Sequence, residues 1–151
     1  MDEEVARSAF EEAIAIKHHE FGSFFLSRFF QLDITYGDET CLVTLPVHEY
    51  MYNPQGSFHG GVIGFALDVA MGHLLKRFVG AGVTLEMKVQ YLRALKRGVV
   101  SCEARLLKKG RSICYLEARM TNELGALIAV ATSTWQLLPG QGAVLPQPET
   151  S

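Results

Sequence analysis

Residues 53 to 73 read NPQGSFHGGVIGFALDVAMGH, and their chemistry turns on Asp68. Val62, Ile63, Phe65, Ala66, Leu67, Val69, Ala70 and Met71 surround that carboxylate on both sides. A helix that is apolar all round is a buried helix, and an ionised carboxylate loses its hydration there. Two readings follow: a structural carboxylate paired with a buried donor, or a nucleophile or general base held in a dry pocket. Helical spacing favours the second. Gly64 and Gly72 stand at i−4 and i+4, on the face of Asp68, where small residues leave room for a ligand. Gly60 and Gly61, at the start of the same helix, offer backbone N–H groups to a developing oxyanion. His59 just before them reads as a loop histidine that ties down the helix start and borders the same site.

Other chemistries find less support. His18, His19 and Glu20 are adjacent, so on a helix they point to different faces, and HExxH is absent; no metal site is expected. No GxSxG elbow is present, and HGGVIG lacks the GK[ST] of a phosphate-binding loop. Cys41, Cys102 and Cys114 form no CxxC pair and read as packing residues. Seven of the 14 Lys and Arg residues fall between 93 and 111, opposed only by Glu103. They read as solvated turns or as a site for a phosphate-bearing small molecule. The two basic runs, LRALKRG and LKKGR, flank one strand and stand about 30 Å apart, so one compact patch would need two subunits.

The elements that must hold these residues follow from periodicity. Residues 3 to 19 carry Ala6, Phe10, Ala13, Ile14 and Lys17 at helical spacing, with Asp2, Glu3 and Glu4 at the start, where anions are favoured. FGSFFLSRFF then holds five of the nine phenylalanines, either a short helix over one end of the core or an aromatic wall for an apolar ligand. Residues 31 to 46 split at YGDET into a hairpin turning near Gly37 and Asp38. An irregular loop leads to the apolar helix, Gly60 to about Arg77. Beyond it Val83, Leu85, Met87, Val89 and Tyr91 alternate with Thr84, Glu86, Lys88 and Gln90, which places the two sets on opposite faces of a strand. Strand-like runs recur near 98–108, 112–122 and 126–136. The expected fold is α+β, an antiparallel sheet with one long helix. So apolar a helix requires a sheet curled around it or a second copy to cover it.

With 151 residues, 48% hydrophobic and 20% charged, the chain is long enough for one domain with a substantial core. A net charge of −2 gives no reason to expect nucleic acid as a partner. The acidic N-terminus is no secretory signal, no run is long enough to span a membrane, and three cysteines suit a reducing compartment, so a cytoplasmic location is expected. Residues 1–22 are expected to form an N-terminal helix, 23–137 the domain proper, and 138–151, with three of the five prolines, a disordered tail.

NPQGSFHGG, then Asp68 seven residues after Gly61, then GVTLEMKVQYLRA, resembles the hotdog-fold acyl-CoA thioesterases. The similarity is greatest to the branch of phenylacetate-pathway (PaaI-type) and 4-hydroxybenzoyl-CoA thioesterases, over about residues 23 to 137. The resemblance implies a curved antiparallel sheet around one long helix, and a homodimer or homotetramer with sites at the subunit interface. It implies Asp68 as the catalytic carboxylate, acting as nucleophile or as base for water. Gly60 is then the glycine whose N–H polarises the thioester carbonyl, Asn53 a residue that positions thioester or water, and Thr84 one that orients the carboxylate. Lys109, Arg111 and Ser112, in the KKGRS turn, match a basic hairpin that meets coenzyme A phosphates. The substrate implied is an acyl-CoA, with no metal or redox cofactor; the alternative is a non-catalytic hotdog module that binds acyl-CoA as sensor or carrier.

Overall fold

The computed structural model describes residues 1–142. Alternating sequence builds six strands: β1 (Asp33–Tyr36), β2 (Thr40–Pro46), β3 (Gly80–Tyr91), β4 (Val99–Lys109), β5 (Ile113–Thr121) and β6 (Leu127–Gly142). They form one antiparallel sheet in the order β1-β2-β4-β5-β6-β3. The apolar run becomes α3 (Gly60–Phe78), which packs along the sheet's inner face. That face carries small residues opposite the helix, among them Cys41, Cys102, Ala104, Cys114, Ala118, Ala129 and Ala131, all essentially inaccessible. Small side chains let the sheet curl closely around α3, the hotdog arrangement. The cysteines are packing residues: burial pushes the Cys41 thiol up to about 12 and raises that of Cys102 as well.

The sheet does not cover α3 alone. Helix α1 (Glu3–Ile14) is capped by the Asp2 carboxylate, which accepts from the Glu4 and Val5 N–H groups. It ends at Ile14 rather than near 19, because the chain turns tightly between Glu20 and Ser23 and sends the phenylalanine cluster onto α3. Helix α2 (Phe25–Phe29) follows, held by Ser27, whose buried hydroxyl meets both backbone groups of Phe24. Phe24 and Phe30 contact Phe65 of α3 with ring centroids 6.2 and 5.5 Å apart. The aromatic segment thus shields a flank of α3, a third means of covering an apolar helix. The stripe expected on α1 is only partly buried. Ala9 and Ala13 face inward, while Phe10 and Ile14 stay about half exposed.

Strand β3 departs from simple alternation. Thr84 pairs with Trp135 but Glu86 pairs with Thr134, so Leu85 is an extra residue, a β-bulge. Before the bulge Gly82 and Thr84 face α3; after it Met87 and Tyr91 do. The expected single face of Val83, Leu85, Met87, Val89 and Tyr91 is therefore split. Val83 and Leu85 turn away from α3 and are exposed. Strand β6 continues to Gly142, so residues 138–142 are strand rather than the start of a disordered tail. The rest of that expected tail, 143–151, lies outside the described residues. Among the described residues no helix is long and apolar enough to cross a membrane.

Candidate active site

Asp68 lies in the middle of α3, partly buried, and its Oδ1 accepts a hydrogen bond of 2.8 Å from the Thr84 hydroxyl on β3. Burial raises the carboxyl pKa above its ordinary value, and the Thr84 bond, which favours the charged form, offsets part of that rise. Asp68 borders a cavity of roughly 340 Å3, lined along α3 by Val69, Gly72 and His73, and walled by Phe21, Phe24 and Trp135. The carboxylate is partly desolvated there. A base or nucleophile is favoured by such a setting.

Gly60 lies at the N-terminal end of the same helix. Its N–H finds no acceptor among the described residues. The neighbouring Gly61 N–H does: it donates to His59 Nδ1 at 2.8 Å, so His59 is the helix N-cap and Gly61 is not a free donor. That corrects the expectation of two available N–H groups to one. Asn53 shares a second cavity with Gly60, about 370 Å3 in volume. Its carboxamide is engaged in its own loop, with Oδ1 accepting from the Gln55 and Ser57 N–H groups and Nδ2 donating to Ser57 Oγ at 3.1 Å. One Nδ2 hydrogen remains for a ligand.

Of the two glycines spaced around Asp68, Gly64 would admit a Cβ at ordinary contact, 3.7 Å from Tyr91 and 3.8 Å from Met87, while Gly72 leaves no empty space. A Cβ on Gly60 would stand 3.1 Å from the Tyr91 ring, and one on Gly72 would stand 2.9 Å from Trp135. Glycine lets each aromatic ring lie on the helix backbone. The Tyr91 hydroxyl donates to the Gly60 carbonyl at 2.9 Å, which braces the first turn of α3. Sequence reasoning gave Tyr91, Trp135 and His73 no role at this site. An aromatic residue closing the β3 alternation was visible, but its contact with a glycine of α3 was not.

Distance divides the expected residues into groups. Gly60 and Asp68 are eight residues apart on one helix, a rise of about 12 Å. Lys109, Arg111 and Ser112 lie farther away, at the C-terminal end of α3, where Arg111 and Ser112 border Val79 and Gly80. Arg93 lines the Gly60 cavity, and Lys96 and Arg97 line a neighbouring one with His48 and Tyr52. The two basic runs therefore sit at opposite ends of β4, as their spacing requires. No cluster of three potential metal ligands occurs among the described residues.

Known proteins share this architecture. Residues 55–129 match the family model of the thioesterase superfamily. A conserved protein of Pseudomonas aeruginosa, PA5202, is 32% identical, with 80% of this chain and 98% of that one covered and a TM-score of 0.72. The BH2602 protein of Bacillus halodurans, whose crystal structure contains CoA, is 21% identical over 91% of this chain and 93% of that one, with a TM-score of 0.81. Thioesterase HI1161 of Haemophilus influenzae is 22% identical over 74% and 80%, with a TM-score of 0.69. These last two likenesses speak to the fold. With the matched segment running from the loop before α3 into β6, the chain belongs to the thioesterase superfamily and is a hotdog-fold thioester hydrolase.

Proposed function

We propose that the protein is an acyl-CoA thioesterase in which Asp68 acts as nucleophile or as general base. The observation that carries this reading is a carboxylate placed in an apolar cavity with the Thr84 hydroxyl as its hydrogen-bond donor. As a base, Asp68 takes a proton from water while the oxygen attacks the thioester carbonyl. The tetrahedral intermediate then collapses, the C–S bond breaks, and the proton passes to the leaving thiolate. As a nucleophile, the carboxylate forms a mixed anhydride and releases the thiolate before water cleaves the anhydride. Either route needs a donor for the oxyanion, and the Gly60 N–H supplies it. No metal or redox cofactor is needed for these steps.

A single chain cannot bring the two ends of this machinery to one carbonyl, because about 12 Å of helix separates Gly60 from Asp68. Two copies can. Among the described residues strand β3 ends the sheet, and its outer edge can pair with a second strand. Two-fold pairing of β3 with a second β3 sets the Gly80 end of one strand beside the Tyr91 end of the other. Asp68 and Thr84 of one subunit then face Gly60 and Asn53 of its partner. The same symmetry brings Lys109, Arg111 and Ser112 toward the partner's end that bears Gly60 and Arg93, a cationic surface suited to CoA phosphates. The CoA held by BH2602 supports this choice of thiol.

Release of free thiol from a panel of acyl-CoA thioesters, compared between the wild-type protein and Asp68→Asn, tests the reading. Hydrolysis by the wild type that is lost in the variant is the expected result. Tight acyl-CoA binding without turnover would instead identify a sensor or carrier.

A further inference from the structure

The cavity beside Asp68 continues along α3, away from Gly60, past Val69 and Gly72 to His73. One side wall is rigid. Trp135 is buried, its indole N–H donates to Ser133 Oγ at 2.7 Å, and its ring lies against the backbone of Gly72. The far end is closed by a contact between distant parts of the chain. Phe21 lays its ring on that of His73, with centroids 4.4 Å apart. His73 in turn is held by a 2.9 Å hydrogen bond between its Nδ1 and the Tyr36 hydroxyl. The ring is buried and uncharged, since burial brings its pKa down to about 4. Among the described residues no Lys or Arg lines the cavity; His19 and Glu20 stand at its exposed rim, and Asp68 supplies a negative charge.

We propose that this cavity receives the acyl group of the thioester, that the group is uncharged and of medium length, and that Phe21 seated on His73 sets that length. The proposal rests on the thioesterase reading and extends it to substrate class and to a specificity-determining residue. Dimensions give the length. Asp68 and His73 are five residues apart, a rise of about 7.5 Å. An extended chain advances about 1.2 Å per bond, one third of the span of a residue. The end wall is therefore met about six bonds beyond the carbonyl. Charge gives the class. A terminal carboxylate would enter an apolar pocket holding another carboxylate and no fixed cation, losing its hydration without a partner.

The test compares kcat/KM for straight-chain acyl-CoA thioesters from butanoyl to dodecanoyl, with adipoyl-CoA as a charged counterpart of hexanoyl-CoA. Wild-type protein, Phe21→Ala and Phe21→Trp are assayed, each checked by thermal melting. Phe21 is about half exposed, so both variants should fold. The wild type should prefer hexanoyl and octanoyl thioesters and discriminate strongly against adipoyl. Phe21→Ala should raise the decanoyl-to-hexanoyl ratio by roughly tenfold, and Phe21→Trp should lower it, at the scale of a methylene in a hydrophobic pocket. Unchanged length profiles in folded variants, or equal turnover of adipoyl and hexanoyl thioesters by the wild type, would overturn the proposal while leaving thioester hydrolysis standing. Failure of the wild type to hydrolyse any thioester would overturn both.

Discussion

Thr84 follows Asp68 by 16 residues, yet its hydroxyl reaches the Asp68 carboxylate at 2.8 Å. The bulge at Leu85 makes this compatible with the rest of β3. Thr84 faces the helix on one side of the bulge, and Met87 and Tyr91 face the same helix on the other. Without the extra residue, either the hydroxyl or the aromatic brace would point to solvent.

Replacing Asp68 with Asn separates a chemical role from a structural one. The shape is kept while the base or nucleophile is lost, so kcat should fall by about 100-fold or more. Burial raises the folded-state pKa of Asp68, so its contribution favours folding at low pH and is lost as pH rises through that value. At neutral pH the carboxylate opposes folding, and Asp68→Asn should melt at the same temperature or higher. A clear loss of stability with near-normal turnover would assign Asp68 to structure instead.

Thr84→Val removes the bond that favours ionised Asp68 and leaves desolvation unopposed. The Asp68 pKa should rise further, shifting the acidic limb of the kcat/KM profile to higher pH. A pH–rate profile unchanged from the wild type would exclude Thr84 from tuning the carboxylate.

His73 predicts an acid sensitivity of stability rather than of catalysis. Its pKa is lowered from 6.5 to about 4 by burial, so the unfolded chain gains a proton before the folded one does. Stability present above pH 6.5 should therefore fall as pH drops toward 4, by about 3 kcal/mol from this group. Asp68 acts in the opposite sense. Denaturant melts across that range should show a shallower slope for His73→Gln than for the wild type; equal slopes would remove His73 as the cause.

Subunit pairing can be read out by complementation. Asp68→Asn and Asn53→Ala should each be poorly active alone, and co-refolded mixtures should regain activity, because a mixed dimer has one site with both residues intact. Sedimentation should give a dimer or tetramer. A stable monomer at micromolar concentration, or no recovery on mixing, would rule out a site shared between copies.

Phosphate recognition should appear in KM. Lys109→Ala and Arg111→Ala remove exposed charges far from the reacting bond, so each should raise KM for acyl-CoA by no more than roughly fivefold, less at high salt, with kcat little changed. Identical KM values in both variants would leave the turn as a solvated loop.

The sequence alone determined what local physics determines. An apolar run opened by His59 and two glycines can only be a buried helix, and α3 spans Gly60–Phe78. Period-two patterning placed the strands, and the anomaly of a carboxylate among apolar residues singled out Asp68. Tertiary structure decided what depends on contacts between distant segments. Whether α1 ends at Ile14 or runs to 19 was settled by the phenylalanine segment seeking the flank of α3, since helix propensity alone contributes little. The bulge at Leu85 exists only in pairing with β6, so alternation read along β3 could not reveal it. The Gly61 N–H was spent on His59 by a capping geometry to which HGG does not commit the chain. Gly72 read as space until Trp135 was seen to rest on it, and Gly60 read only as a donor although Tyr91 rests on it too, because a missing Cβ records only that something can approach, not what does.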